Sequence, residues 1–161
     1  MSANPDTATL VRGIVFENVK RIVGAQLAGL GWSVLLHPTL GVAPAGATTD
    51  LAVAPVCGSP QNEMASACAA LDILPPHRDS AAEMDRLKRL RQHPHLRDLV
   101  IINTSSLRVE HWFRSERSPW LFELVTSPTA DLHLHSLGIT IGLKHIYLRV
   151  HFPSSASRPS A

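Results

Sequence analysis

Ala69-Ala70-Leu71-Asp72-Ile73-Leu74-Pro75-Pro76, then Ser80-Ala81-Ala82-Glu83-Met84-Asp85-Arg86-Leu87-Lys88-Arg89-Leu90-Arg91-Gln92, then Leu99-Val100-Ile101-Ile102: these three pieces, between Ala69 and Asn103, decide the fold. The first is a short apolar run closed by two prolines, which reads as a buried strand carrying one charge, Asp72. The second opens on a capping box, Ser80 to Glu83, so a helix is expected to start at Ser80, bury Met84, Leu87 and Leu90, and stop before Pro94. The third is an apolar β-branched run. Strand, helix, strand in this order predicts a right-handed parallel crossover, with Asp72 near the carboxyl end of its strand, where ligands bind in open α/β sheets.

Toward the amino terminus, Val15, Val19, Ile22, Val23, Leu27 and Leu30 recur at helical spacing and form one apolar stripe, a first helix preceded by a frayed polar segment from Met1 to Thr9. Gly29 and Gly31 end it, Trp32 to Leu36 reads as a strand stopped by His37-Pro38, and a loop rich in Gly, Ala and Pro runs to Thr49. Asp50-Leu51-Ala52-Val53-Ala54 is a second short strand, followed by a turn at Gly58-Ser59-Pro60. Toward the carboxyl terminus, Arg108 to Phe113 and Trp120 to Val125 predict a hairpin, and Ala130 to Leu134 a further strand. The mixed periodicity of Thr140 to Val150 fits a strand, a short helix, or both. The expected fold class is α/β (α+β), a mixed sheet flanked by helices, in one domain over 10–152 with flexible tails at 1–9 and 153–161.

A chain of 161 residues suits one domain that buries roughly two thirds of its unfolded surface. Hydrophobic content of 45% with 17% charged residues is ordinary for a globular protein, and 15 basic against 13 acidic residues is too small an excess to demand a polyanionic partner. Two cysteines without zinc spacing, and no basic-then-apolar leader, make a reduced bacterial-type cytosol the expected location. The longest apolar region, Ile22 to Leu36, is too short to span a bilayer, so no membrane segment is expected.

Asp50 and Asp72, on neighbouring strands, are the strongest chemical constellation. Two carboxylates converging at a sheet edge can bind Mg²⁺ (or Mn²⁺) while phosphate and water complete an octahedron of oxygens. The alternative is structural: Asp50 caps a strand and Asp72 pairs with a helix arginine. Arg86, Lys88, Arg89 and Arg91 form the densest positive cluster, with Arg78 before it and Arg97 after it. Lys88, four residues after Met84, is expected to lean toward the sheet and contact phosphate or water, while Arg86 and Arg89 point to solvent. Glu17 would make a third carboxylate but falls opposite the apolar stripe, on the surface. His133 and His135 share one side of a strand, as a metal pair would need, without a third ligand nearby. Phosphate-cradling loops, GxSxG elbows and Cys/His nucleophile arrangements are missing from the sequence.

From about Ile14 to Phe152 the chain resembles the Uma2 family of endonucleases, a branch of the restriction-endonuclease-like PD-(D/E)xK fold. Thr49-Asp50-Leu51-Ala52-Val53 resembles the family's first acidic motif, and Leu71-Asp72-Ile73-Leu74-Pro75-Pro76 the second, with Asp for Glu. His93 to Ile102 is the closest stretch; Val109 to Arg114 with Trp120 resembles the later hairpin, and Leu137 with Ile146-Tyr147-Leu148 the closing segment. An ungapped match sets Ala82 and Arg86 where the family has its helix Asp and Lys. The resemblance implies a restriction-endonuclease-like mixed sheet and a metal-dependent endonuclease acting on DNA. Asp50 and Asp72 would hold Mg²⁺, Lys88 or Arg86 would orient the attacking water, and the helix cluster would hold the phosphate backbone. The competing expectation is a non-catalytic relative that binds nucleic acid or protein. Cutting duplex DNA calls for two sites, so a homodimer is expected, with Trp112, Phe113 and Trp120 as its aromatic contact surface.

Overall fold

The computed structural model describes residues 5–41, 46–74, 80–116 and 118–152. In chain order the elements are α1 (Pro5–Leu27), β1 (Trp32–Leu36), β2 (Thr39–Leu40), β3 (Ala47–Thr48), β4 (Leu51–Pro55), α2 (Pro60–Ala65), β5 (Ala69–Leu74), α3 (Ser80–Arg91), β6 (Asp98–Asn103), β7 (Val109–Phe113), β8 (Leu121–Val125), β9 (Asp131–Leu134), β10 (Ile139–Gly142) and α4 (Leu143–Ile146). Six strands make one sheet in the order β1-β4-β5-β6-β7-β8. Its one parallel pair is β5 with β6, joined through α3; the remaining neighbours are antiparallel. The fold is the expected mixed sheet flanked by helices.

Strand periodicity divides the core between two faces. Leu51 and Val53 of β4, Leu71 and Ile73 of β5, and Val100 and Ile102 of β6 pack with Val15, Val19, Val23 and Leu27 of α1, which recur every fourth residue down one stripe. The β9-β10 hairpin and α4 extend this layer through Leu132, Leu134, Ile141 and Ile146. On the other face Ala52, Ala54, Ala70, Leu99 and Ile101 meet Leu87 and Leu90 of α3. The small alanines there let the helix lie close to the sheet. Each fully buried leucine, isoleucine or valine contributes roughly 1.5 to 3 kcal/mol, so both layers stabilise the sheet between them.

Several expectations are corrected. α1 begins at Pro5, inside the segment expected to fray, because one apolar stripe stabilises a helix beyond its own ends. Leu30 lies past the helix and is exposed, as is Met84 on α3. The buried side of α3 follows Glu83, Arg86, Leu87 and Leu90, a stripe rotated from the one that Met84 suggested. The loop before Thr49 contains the small β2-β3 hairpin, and Ser59, whose hydroxyl accepts from Asn62 N, caps the short helix α2 where only a turn was expected. The region from Thr140 holds both a strand end and a helix.

Candidate carboxylate site

Asp50 and Asp72 meet because the β4-β5 ladder puts them opposite one another. Leu51 faces Leu71, and the same register carried one residue further sets Asp50 across from Asp72. Both side chains stand on the α3 face, in phase with Ala52 and Ala70, and both are buried. They are cross-wired into the opposing backbone. Asp50 N donates to Asp72 Oδ1 at 3.1 Å, Ile73 N donates to Asp50 Oδ2 at 2.7 Å, and Thr49 Oγ1 donates to Asp72 Oδ1 at 2.7 Å. Backbone N–H groups and a hydroxyl thus stabilise the two charges where the sheet frays.

Two arginines cover what remains. Arg12 on α1 hydrogen-bonds Asp50 Oδ1 and also donates through Nε to Ile73 O at 3.1 Å. Arg86 on α3 forms an ion pair with Asp72 Oδ2 at 2.6 Å, pairs with Glu83 of its own helix, and donates to Thr48 O at 2.7 Å. Burial alone would lower the pKa of Arg86, but the bonds and charges of Glu83 and Asp72 outweigh it and hold the guanidinium firmly protonated. His37, in the left-handed region at φ 51 and followed by Pro38, has Nδ1 3.7 Å from Asp50 Oδ1 and stacks on Phe16. These groups line a cavity of about 200 Å³.

The family resemblance implies a divalent ion here. Asp50 presents one oxygen to Arg12 and one to a backbone N–H; Asp72 presents one to Thr49 and Asp50 N and one to Arg86. Among the described residues no group of three or more His, Cys, Asp or Glu is placed to hold a metal. As arranged, with guanidinium charge where a cation would sit, this donor set does not fit Mg²⁺ or Mn²⁺.

Sequence reasoning brought Asp50 and Asp72 together correctly and misplaced the cation. Lys88 is exposed and outside the cavity wall; Arg86, expected to face solvent, is in it. Glu17 is on the surface with Lys20, 2.8 Å away. His133 is exposed against Thr140 Oγ1 at 2.9 Å, and His135 lies beyond the end of β9. Arg78 falls outside the described residues. Missed altogether were Arg12, Glu83, Thr49 and His37. Arg12 had a signal, since it sits three residues before Val15, on the side of α1 that the stripe buries.

Neither family models nor curated proteins match the sequence. Among solved structures, the chain is similar to a crystal structure from Anabaena variabilis described as a "putative nuclease belonging to DUF820", with 14% identity, a TM-score of 0.59, and coverage of 91% of this chain and 82% of that one. The likeness shows a shared fold.

Proposed function

We propose that this chain is a non-cleaving member of the nuclease-like fold that binds nucleic acid, its carboxylate pair held by arginines rather than by metal. The observation that carries the reading is Arg86, which stands between Asp72 and Glu83 at the position the ungapped match gives the family's Lys. A guanidinium does not lose its proton and is too tightly paired here to activate water, so the site is a structural clasp between the sheet and α3. Support for a polyanionic partner comes from the outer face of α3, where Lys88 is exposed beside a half-exposed Arg89 that pairs with Asp85 at 3.3 Å, and from the fold neighbour's description. A second reading, a metal-dependent endonuclease, draws on the three carboxylates of Asp50, Asp72 and Glu83 around one cavity, where the Arg86 guanidinium meets Asp72 Oδ2 in the place a cation would take.

Fluorescence anisotropy with duplex and single-stranded DNA across a salt series, alongside incubation of the same strands with millimolar Mg²⁺ or Mn²⁺, separates the readings. Binding that weakens with salt and leaves the strands intact is expected. Metal-dependent cleavage lost in Asp72→Asn would establish the endonuclease instead. No binding to either strand form would leave protein interaction as the role of the fold.

A further inference from the structure

The β6-β7 ladder ends on a like-charge pair. Asp98 faces Phe113, the next step sets Arg97 opposite Arg114, and Arg114 N donates to Arg97 O at 2.9 Å. Like charges directly across a ladder destabilise it unless something neutralises them. Among the described residues neither arginine has a carboxylate partner. Arg97 Nη1 donates to Pro94 O at 2.9 Å and Leu96 O at 3.2 Å. Arg114 donates from Nε to Leu96 O at 2.9 Å and from Nη2 to His93 O at 2.8 Å, while Trp120 lies 4.5 Å beneath its guanidinium. Backbone carbonyls fix both side chains in place without cancelling their charge, and among the described residues Arg97 Nη2 and Arg114 Nη1 have no acceptor. Both arginines line an open cavity of about 760 Å³, within the roughly 300 to 1,000 Å³ that small-ligand sites occupy. Trp32, Phe113 and Leu121 give it an apolar patch, and its polar lining includes His95, His135 and the exposed carboxylate Glu116, which forms no ion pair with either arginine among the described residues.

We propose that this cavity is a binding site for a small organic anion, a carboxylate or phosphate monoester on a flat apolar body, whose oxyanion sits between Arg97 and Arg114 and whose body lies against Trp32 and Phe113. The site is separate from the carboxylate site: Cys68 in its wall immediately precedes β5, and Asp72 lies four residues further along the chain, about 13 Å away at the rise of a strand. Planar guanidinium forks match both oxyanion types. Burial, followed by the charge of Arg97, lowers the pKa of Arg114, which is the direction a bound anion would reverse. The wall binds without reacting, because burial pushes the Cys68 thiol up to about 11 and leaves it protonated at neutral pH.

Calorimetric titration of the full chain with naphthoate, naphthyl phosphate and neutral naphthyl methanol tests this. Saturable binding of at least one anion, weakened by added salt, is expected, with the neutral alcohol far weaker; which anion binds tighter tells a carboxylate site from a phosphate site. Arg97→Gln, which removes a charge-assisted hydrogen bond, and independently Leu121→Glu, which sets a like charge at the exposed mouth, should each weaken the anion on the order of tenfold or more. Equal binding of the alcohol, affinity unchanged in both variants, or no saturation at millimolar ligand would each overturn the proposal.

Discussion

Arg86 serves two carboxylates at once, and removing any one of the three members strands charge in a poorly hydrated place. Asp72→Asn should cost on the order of 1 to 3 kcal/mol, because Thr49 and Asp50 N lose an ionised acceptor and Arg86 loses a partner. Denaturant melts of the wild type should ignore Mg²⁺. A variant as stable as wild type, beside a wild type stabilised by Mg²⁺, would return the pair to metal binding. Arg86→Ala should cost somewhat less than the roughly 3 to 5 kcal/mol of a fully buried pair, since its side chain keeps some contact with water. Tyr147 offers a second test at this scale. It is the one tyrosine in the chain, its hydroxyl lies within 2.9 Å of Asn103 O and 3.0 Å of Arg108 O, and burial raises its pKa to about 12. Above about pH 10 the unfolded chain releases the phenolic proton and the folded chain keeps it, so stability falls as pH rises from there toward 12. Absorbance of tyrosinate should therefore appear together with loss of native structure or near pH 12; ionisation near 10 in the folded protein would show that the phenol is not buried.

Among the elements, α3 is read by rotation. Lys88 faces solvent and Arg86 faces the sheet, so Lys88→Ala should stay within about 0.5 kcal/mol of wild type while Arg86→Ala does not, in matched urea melts. The β6-β7-β8 layer holds a second polar cluster, found only in three dimensions. Fully buried His111 lies 2.6 Å from Asp98 Oδ1 and 3.2 Å from Glu123 Oε1, and Ser136 N donates to Asp98 Oδ2 at 2.9 Å. This chain of bonds ties three strands to the β9-β10 turn. Asp98→Ala leaves the imidazole and the Ser136 N–H without their acceptor, and should cost about 3 to 5 kcal/mol; a change under about 1 kcal/mol would show that water replaces the carboxylate without penalty.

At the scale of the whole molecule, Trp112 and Trp120 of the β7-β8 hairpin pack against α3. Trp112 stacks under Arg91 with 4.3 Å to the ring, and Trp120 Nε1 donates to Arg91 O at 3.2 Å, so both half-buried rings lie against the α3 layer. What β8 leaves open is different. As the last strand of the sheet it exposes Leu121, Phe122 and Leu124 beside an unpaired backbone edge, which is the arrangement that recruits another strand. Self-association through this edge is the expected outcome: light scattering should give a mass above one chain at micromolar concentration, and Phe122→Lys should return it to one chain. A wild-type mass of one chain throughout would remove the homodimer.

The chain's local physics already determined the frame. Apolar runs closed by proline, one helical stripe and one capping signal suffice to place β1, β5, α3 and β6, because each depends on residues a few positions apart. The Asp50-Asp72 meeting was legible too, since two short strands that each carry one acid leave few registers that bury their apolar faces. Which cation answers those acids was decided only by tertiary structure. A helix's rotation about its axis is set by the small residues it packs on, here Ala52, Ala54 and Ala70, and a turn of about 100° per residue exchanges Lys88 for Arg86. Arg12 reaches Asp50 across 38 positions, and the Arg97-Arg114 pair exists only once β6 and β7 have chosen their register. The stripe of α1 marks the side Arg12 lies on but not the acid it meets, and the Arg97-Arg114 pair carries no periodic trace, because such partners are chosen where separate elements end beside one another.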